Sequence, residues 1–473
     1  MTGSAEERLR ADAPLLDAYL SFLDARKAPF TIPGHKGRTD LVGRVVAGDV
    51  PLFAGLDTMK QEHGVLADAE GRAARLWGAD LCRFSVGGST HGNQTLALAV
   101  GQPGDRVAVP RTLHRSLLLG LVLAGLEPVW LRPHVDAATG LPTGVSAREV
   151  RRQLDRHRDV RAVFVGDPTY VGTTGDLTAV AETVHAYGVP LLVDAAWSAH
   201  FGFHPALPPH ALTCGADAMV TSAHKALPAY SQGALVLART DRLDEARLTD
   251  AFEATHTTSP AGSILASIDA TRALLASDGR RLLDDTLRLV AGARERLTAV
   301  DGLTVLTPPF VEPAKLVVLL HGSGADGVAV ERDLVAAGMP VEMADRDTIV
   351  PMITLADRPA DVDMLVDALR TAVGRHRGPP RDVVPAAQWT IEPETVLLPR
   401  DAFFAPHEKV SAAAAVGRVS AELVAPYPPG VPVLAPGERV TREALDALVA
   451  ARGAGTRVAY AADPTLETLR VVR

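Results

Sequence analysis

Residues 190–236 read PLLVDAAWSAHFGFHPALPPHALTCGADAMVTSAHKALPAYSQGALV. Three short apolar runs stand out: Pro190–Val193, Ala218–Thr221 and Gly233–Leu237. The first ends in an acid, Asp194, and the second ends in Thr221-Ser222-Ala223-His224-Lys225. Runs this short, bounded by Gly and Pro and carrying β-branched residues, predict strands. The pattern continues upstream with strands expected at Cys82–Val86, Arg106–Val109, Glu127–Leu131 and Ala162–Val165. Helical patterns lie between most of them, for example Thr95–Gly101, Leu113–Gly125 and Thr178–Tyr187. Alternation of strand and helix predicts a mainly parallel sheet covered by helices on both faces. Ligands of such sheets bind beyond the carboxyl ends of the strands. Asp194 and Lys225 are both expected there.

Around this block the chain divides further. Residues 6–29 have the periodicity of one amphipathic helix, with Leu15, Leu16, Tyr19, Leu20 and Leu23 on one face. A long helical run, Ser263–Val300, precedes a second α/β segment from Thr304 to about Arg375. HRGPPRDVVP, 376–385, reads as a linker. The boundaries expected are an N-terminal arm (1–60), a large domain (61–262), a connecting helix with a small α/β domain (263–375), the linker, and a C-terminal α/β module (386–473). A length of 473 residues fits two to four domains at roughly 100–200 residues each.

Composition removes several classes. Forty-eight basic against 56 acidic residues leave a net charge of −8, which disfavours a phosphate-backbone footprint and hence nucleic acid as a partner. Two cysteines, Cys82 and Cys214, make neither a four-thiolate zinc site nor a disulfide framework, and they fit a reducing cytoplasm. The opening residues, MTGSAEERLRADAPLL, carry acids and lack the apolar core of a secretory signal. The longest apolar stretch, Leu117–Leu126, is too short for a bilayer, which needs about 20 residues, so no membrane partner is expected. His200 and His204 are four apart but lack the acid of a zinc helix, and no metal is expected.

A third chemical element lies in FSVGGSTHGNQT, 84–95. A strand enters Gly87-Gly88, a polar loop follows, and a helix starts. N–H groups at a helix start, with Ser and Thr hydroxyls, make an anion site, and glycine lets backbone approach the anion. The P-loop template fails because position 93 is Asn where its lysine belongs. The dinucleotide template fails because position 89 is Ser. A monophosphate cradle survives, formed by Gly88, Ser89, Thr90 and His91 with help from Ser222 and His224. An acid, an amine and a monophosphate cradle together describe a pyridoxal 5′-phosphate (PLP) site. Lys225 would form the Schiff base, Asp194 would hold the pyridine nitrogen, and His114 is the candidate to stack on the ring.

Over nearly its whole length the sequence resembles the fold-type I PLP-dependent ornithine/lysine/arginine decarboxylases, short bacterial form. The resemblance rests on TIPGHKG (31–37), FSVGGSTHGN (84–93), RTLHRS (111–116), DPTYVG (167–172), DAAWSAHFGFHP, SAHK, TTSP (257–260) with SILASIDATR, EMAD (342–345), RDAFFAP (400–406) and PYPPGVPVLAPGE (426–438). It implies an aspartate aminotransferase-like fold, PLP as cofactor and a small amino-acid substrate. It also implies a homodimer or higher homo-oligomer with the site at the interface, the arm and TTSP crossing toward the partner. His114, Asp194 and Lys225 take the family's stacking, ring-nitrogen and Schiff-base roles. The implied reaction is α-decarboxylation of lysine, ornithine, arginine or a related amino acid to the amine and CO2.

Two departures bear on substrate. Ala195 stands where the family has a second acid, and Asp401 stands where Glu is common. If that second acid contacts a cationic substrate, Ala195 predicts weaker handling of basic amino acids; if it is structural, no such loss follows. Another PLP outcome (aminotransfer, elimination or aldol chemistry) is the alternative, with Arg346 or Arg358 proposed to grip a carboxylate. A non-catalytic binding protein is the third reading, opposed by the joint presence of Lys225, Asp194 and His114.

Overall fold

Seven of the apolar runs pair into one sheet: β1 (Leu81–Ser85), β2 (Arg106–Pro110), β3 (Glu127–Leu131), β4 (Val160–Gly166), β5 (Leu191–Asp194), β6 (Ala218–Ser222) and β7 (Ala234–Ala238). Their order is β1-β7-β6-β5-β4-β2-β3. In this computed structural model β2 runs parallel to β3 and β4, and β5 parallel to β6; β7 is antiparallel to β6 and β1. The structure describes residues 4–25, 30–51, 54–57, 64–385, 387–427, 430–453 and 455–473. Every residue of β6 and β7 is buried, which explains why these strands read as unbroken apolar runs and not as alternating ones.

The chain forms two compact units. One comprises residues up to Ala99 with Leu192–Leu283, and the other Val100–Leu191 with Asp284–Arg473. Five helices matter below: α1 (Ala5–Asp12), α2 (Pro14–Asp24), α3 (Gly88–Val100), α4 (Arg115–Ala124) and α5 (Gly262–Thr298).

In the first unit the expected single helix over 6–29 is two helices, and its last four positions fall outside the described residues. The break is at Ala13, which takes φ −111° and ψ 86°. Pro14 disfavours the helical region for the residue before it while suiting the first turn of a new helix. The turn is anchored on α5. Asp269, fully buried, accepts from Leu15 N at 2.9 Å, and Arg272 bridges Asp269 and Asp12.

The polar loop expected after Gly87-Gly88 is itself helical: α3 starts at Gly88, seven residues earlier than the periodicity indicated. Gly88, at φ +69°, turns the chain from β1 into the helix. A Cβ at Gly92 would lie 2.5 Å from Val220 and 3.1 Å from Val236, so this glycine lets α3 rest directly on β6 and β7.

In the second unit α4 begins at its N-cap His114 and ends at Gly125, φ +73°. A four-stranded antiparallel sheet, β8 (Thr304–Val305), β9 (Val318–Leu319), β10 (Met343–Ala344) and β11 (Thr348–Val350), packs with helices Gly327–Ala336 and Pro359–Arg375 around Leu316, Val330, Ile349 and Val366. The C-terminal segment pairs β12 (His407–Ser411) with β15 (Thr468–Val472), and β13 (Ala425–Tyr427) with β14 (Arg457–Ala459). Its core is built on Val424, Val433, Leu445 and Leu469. Two prolines of the PYPPG stretch, 428 and 429, lie outside the described residues. Among the described residues no helix is long and apolar enough to cross a membrane.

Candidate active site

In the first unit, β5 and β6 lie side by side and parallel, with Asp194 opposite Val220. Asp194 closes β5 and Ser222 closes β6, so both reach the same edge of the sheet. Thr221 Oγ1 ties the strand ends together by donating to the Ala195 carbonyl at 2.9 Å, which also accepts from Ser198 N and Oγ at 3.0 and 3.1 Å.

The Asp194 carboxylate is fixed from two sides. Asn93 Nδ2, one turn into α3, donates to Oδ2 at 2.7 Å, and Ala196 N donates to Oδ1 at 3.2 Å. Asn93 is buried. A carboxylate held this way keeps lone pairs for another cationic N–H donor.

Lys225 follows β6 within a single helical turn, Ala223–Ala226. Its Nζ lies over the Trp197 ring, 4.0 Å from the centroid. His224 Nδ1 contacts the Gly233 carbonyl at 2.9 Å, and Ala223 N donates to the same oxygen at 3.0 Å. These bonds close the 223–233 segment onto β7 and set where Lys225 emerges.

The start of α3 carries the residues expected to cradle an anion. Gly88 N is spent on the Gln232 carbonyl at 2.8 Å. Ser89 and Thr90 follow in the first turn, where N–H groups lack intrahelical acceptors. Ser222 Oγ donates to Ser89 Oγ at 3.0 Å, so a hydroxyl from β6 joins one from α3. His91 faces inward: its Nδ1 contacts Ser85 Oγ at 2.8 Å and its Nε2 the Phe252 carbonyl at 3.0 Å. The donor set fits PLP: a carboxylate for a protonated ring nitrogen, an amine for the aldehyde, and hydroxyls at a helix start for the phosphate.

His114 belongs to the second unit, at the turn between β2 and α4. Ser116 N donates to its Nδ1 at 3.2 Å, so Nδ1 is the accepting nitrogen and the neutral ring carries its proton on Nε2. In the same unit, Tyr170 of DPTYVG donates to Glu342 Oε1 of EMAD at 2.9 Å, and burial beside that carboxylate pushes the phenol upward. Asp167 is pushed up to about 7 by desolvation, against a hydrogen bond from Gly175 N. Arg346 is engaged by Asp347, and Arg358 stands 84% exposed beside Asp361.

Two site residues escaped the sequence reading. Asn93 appeared there only as the position lacking a P-loop lysine, although it is four residues from Ser89 on a helix. Trp197 appeared only within the quoted stretch, although it stands three residues after Asp194.

An acid and an amine presented from adjacent parallel strands of this sheet define a PLP fold-type I scaffold. The comparisons then give the family. The Orn/Lys/Arg decarboxylase major domain matches residues 13–328, and the C-terminal domain of the same family matches 385–457. Arginine decarboxylase of Bacillus subtilis (strain 168) is 32% identical over 98% of both chains. Arginine decarboxylase of Halalkalibacterium halodurans is 33% identical over 97% of both. Solved structures of lysine decarboxylases from Francisella novicida and Pseudomonas aeruginosa share the fold at a TM-score of 0.81, with 20% and 22% identity, covering 98% of this chain and 81% of each of theirs. The chain belongs to the Orn/Lys/Arg decarboxylase family and is an amino-acid decarboxylase.

Proposed function

We propose that this enzyme removes the α-carboxylate of a basic amino acid as CO2, using PLP held by Lys225, with arginine the first substrate to test. The observation that carries the reading is the Asn93–Asp194 pair at the end of β5, beside the strand that leads to Lys225. When bound, PLP supplies an electron sink for the pair left on Cα as CO2 departs. The chain's residues do the rest. Asp194 would keep the ring nitrogen protonated, because its carboxylate is anchored by Asn93 and Ala196 N and its charge favours the cation. Lys225 would provide the amine for the aldehyde. His114 would be the residue to stack on the ring. Ser89, Thr90 and Ser222 would hold the phosphate, with Gly88 turning the chain into α3, His91 turned inward behind them and His224 setting the adjoining segment.

Ala195 is 1% exposed. An acid at that position would be buried among the strand ends, which supports the structural reading of the family's second carboxylate. The substitution is therefore compatible with a cationic substrate. Arg346 is engaged by Asp347 and Arg358 is 84% exposed beside Asp361, so neither offers support to aminotransfer.

The enzyme is further proposed to be a cytoplasmic homodimer or higher oligomer. Phe30 is fully exposed, Ile32, Leu41 and Val45 are exposed, and so are Thr257, Thr258 and Ser259. A second copy covering them would bury the arm's apolar surface. The test of function is incubation of the PLP-loaded protein with arginine, lysine and ornithine, following both CO2 and the organic product. Equal yields of CO2 and amine are expected; a keto acid without CO2 would refute the reading.

A further inference from the structure

His114 is flanked by two arginines, and the C-terminal segment grips both. Arg111, three residues before it, is 1% exposed and forms a two-pronged ion pair with Glu438, itself 1% exposed: Nη1 donates to Oε1, and Nη2 to Oε2 at 3.0 Å. Arg111 Nη2 also donates to the Val433 carbonyl at 3.0 Å, and its guanidinium lies 4.7 Å from the Trp130 ring centroid. Glu438 is fixed in turn by Ala435 N at 2.7 Å. Arg115, immediately after His114, lies over the Tyr460 ring at 4.2 Å. At the far end of α4, Arg400 Nη1 donates to the Val122 and Leu123 carbonyls at 3.3 and 2.6 Å. The helix that His114 caps is thus held at both ends by residues 400–460.

We propose that Glu438 and Tyr460 are positioning residues for the reaction, holding the turn 111–115 so that the His114 ring is presented to the cofactor. The inference rests on the reading of His114 as the ring-stacking residue. It assigns the C-terminal segment a part in cofactor binding through the turn it holds. Chemistry favours the arrangement. An arginine buried in a two-pronged pair has one permitted orientation, so a turn bonded through it has little freedom. The Ser116 bond to Nδ1 fixes the ring's tautomer, and the two arginines fix the turn that carries it.

The experiment is a double-mutant cycle on the full-length protein with three readouts: PLP dissociation constant, visible circular dichroism of bound PLP, and hydrogen exchange of residues 111–118 in the apoprotein. The variants are His114→Ala, Tyr460→Leu and their combination. Glu438→Gln leaves a buried charge unpaired and risks misfolding, so Arg111→Met/Glu438→Leu, which removes both charges, accompanies it. Glu394→Gln, at an exposed ion pair with Arg439, is the control. Loss of a cation–π contact predicts about 3–10-fold weaker PLP binding in Tyr460→Leu. A dichroism change of the same sense as in His114→Ala and faster exchange over 111–118 should accompany it. In the His114→Ala background the Tyr460→Leu effect on PLP should vanish. An undiminished effect in that background, or no effect in either, overturns the proposal. If His114→Ala itself leaves PLP affinity and dichroism unchanged, the stacking reading falls and takes the proposal with it. Hydrogen exchange then shows separately whether the C-terminal segment holds the turn.

Discussion

Asn93, on the first turns of α3, donates its side-chain N–H to Asp194 Oδ2 at 2.7 Å, joining two residues 101 positions apart. The bond sets the direction of a carboxylate that stands at the end of a strand. Asp194→Asn removes the charge and keeps the shape. Turnover should fall by about 10²–10³-fold, the scale of other positioned electrostatic groups. Asn93→Ala keeps the charge and loses only its guide. A hydrogen bond to a charged group contributes about 1.5–3 kcal/mol, so a loss of about one to two decades is expected. Near-normal steady-state rates in both variants would remove Asp194 from the site.

Trp197 lies 4.0 Å from the Lys225 Nζ. Trp197→Leu removes the ring that packs on this side chain and should weaken PLP binding by about 3–10-fold, while Trp197→Phe should lose less. Titration of the apoprotein with PLP, read by absorbance, checks the ranking; equal affinity for all three proteins would contradict it.

The pH prediction concerns Asp167, whose carboxyl is raised to about 7 by desolvation. An acid raised on folding binds its proton more tightly in the native state. Its contribution to stability is therefore greatest below the unfolded value, about 3.9, and is lost as pH rises toward 7. Asp167→Asn should flatten the dependence of Tm on pH across that window and leave the variant relatively more stable at pH 8. An unchanged slope of Tm against pH would contradict the assignment.

The N-terminal helices depend on Asp269, fully buried, and Arg272, 3% exposed. Asp269→Ala removes one of the two carboxylates paired with the buried Arg272 and leaves Leu15 N without its acceptor, and should cost about 1–3 kcal/mol. Asp269→Leu/Arg272→Leu should recover much of that loss. Thermal unfolding and protease sensitivity near Ala13 report both; a single variant as stable as the parent would contradict the anchor.

What the sequence disclosed follows the range of the forces involved. The strands ending in Asp194 and Ser222 were legible because buried parallel strands are apolar along their whole length. The break at Ala13 was missed because the apolar spacing continues through it, while the rule that mattered was local: Pro14 restricts the residue before it. The start of α3 was placed at Thr95 because Gly, Ser and Thr are poor helix formers, yet at a helix N-terminus these residues cap and turn the chain. The chemistry at Asp194 and Lys225 could be proposed from types and positions. Asn93–Asp194 and Arg111–Glu438 could not, because pairing across 101 and 327 residues is set by how helices and strands pack, and no periodicity records it.

The central claim is that a basic amino acid loses its α-carboxylate in this site. The most direct measurement is release of CO2 from carboxyl-labelled arginine, lysine and ornithine by the PLP-loaded enzyme, with the amine quantified in the same reaction. The account predicts equimolar CO2 and amine, kcat/KM above about 10⁴ M⁻¹s⁻¹ for at least one of the three, and abolition of both products in Lys225→Ala. No CO2 from any of the three, or CO2 release undiminished in Lys225→Ala, would contradict it.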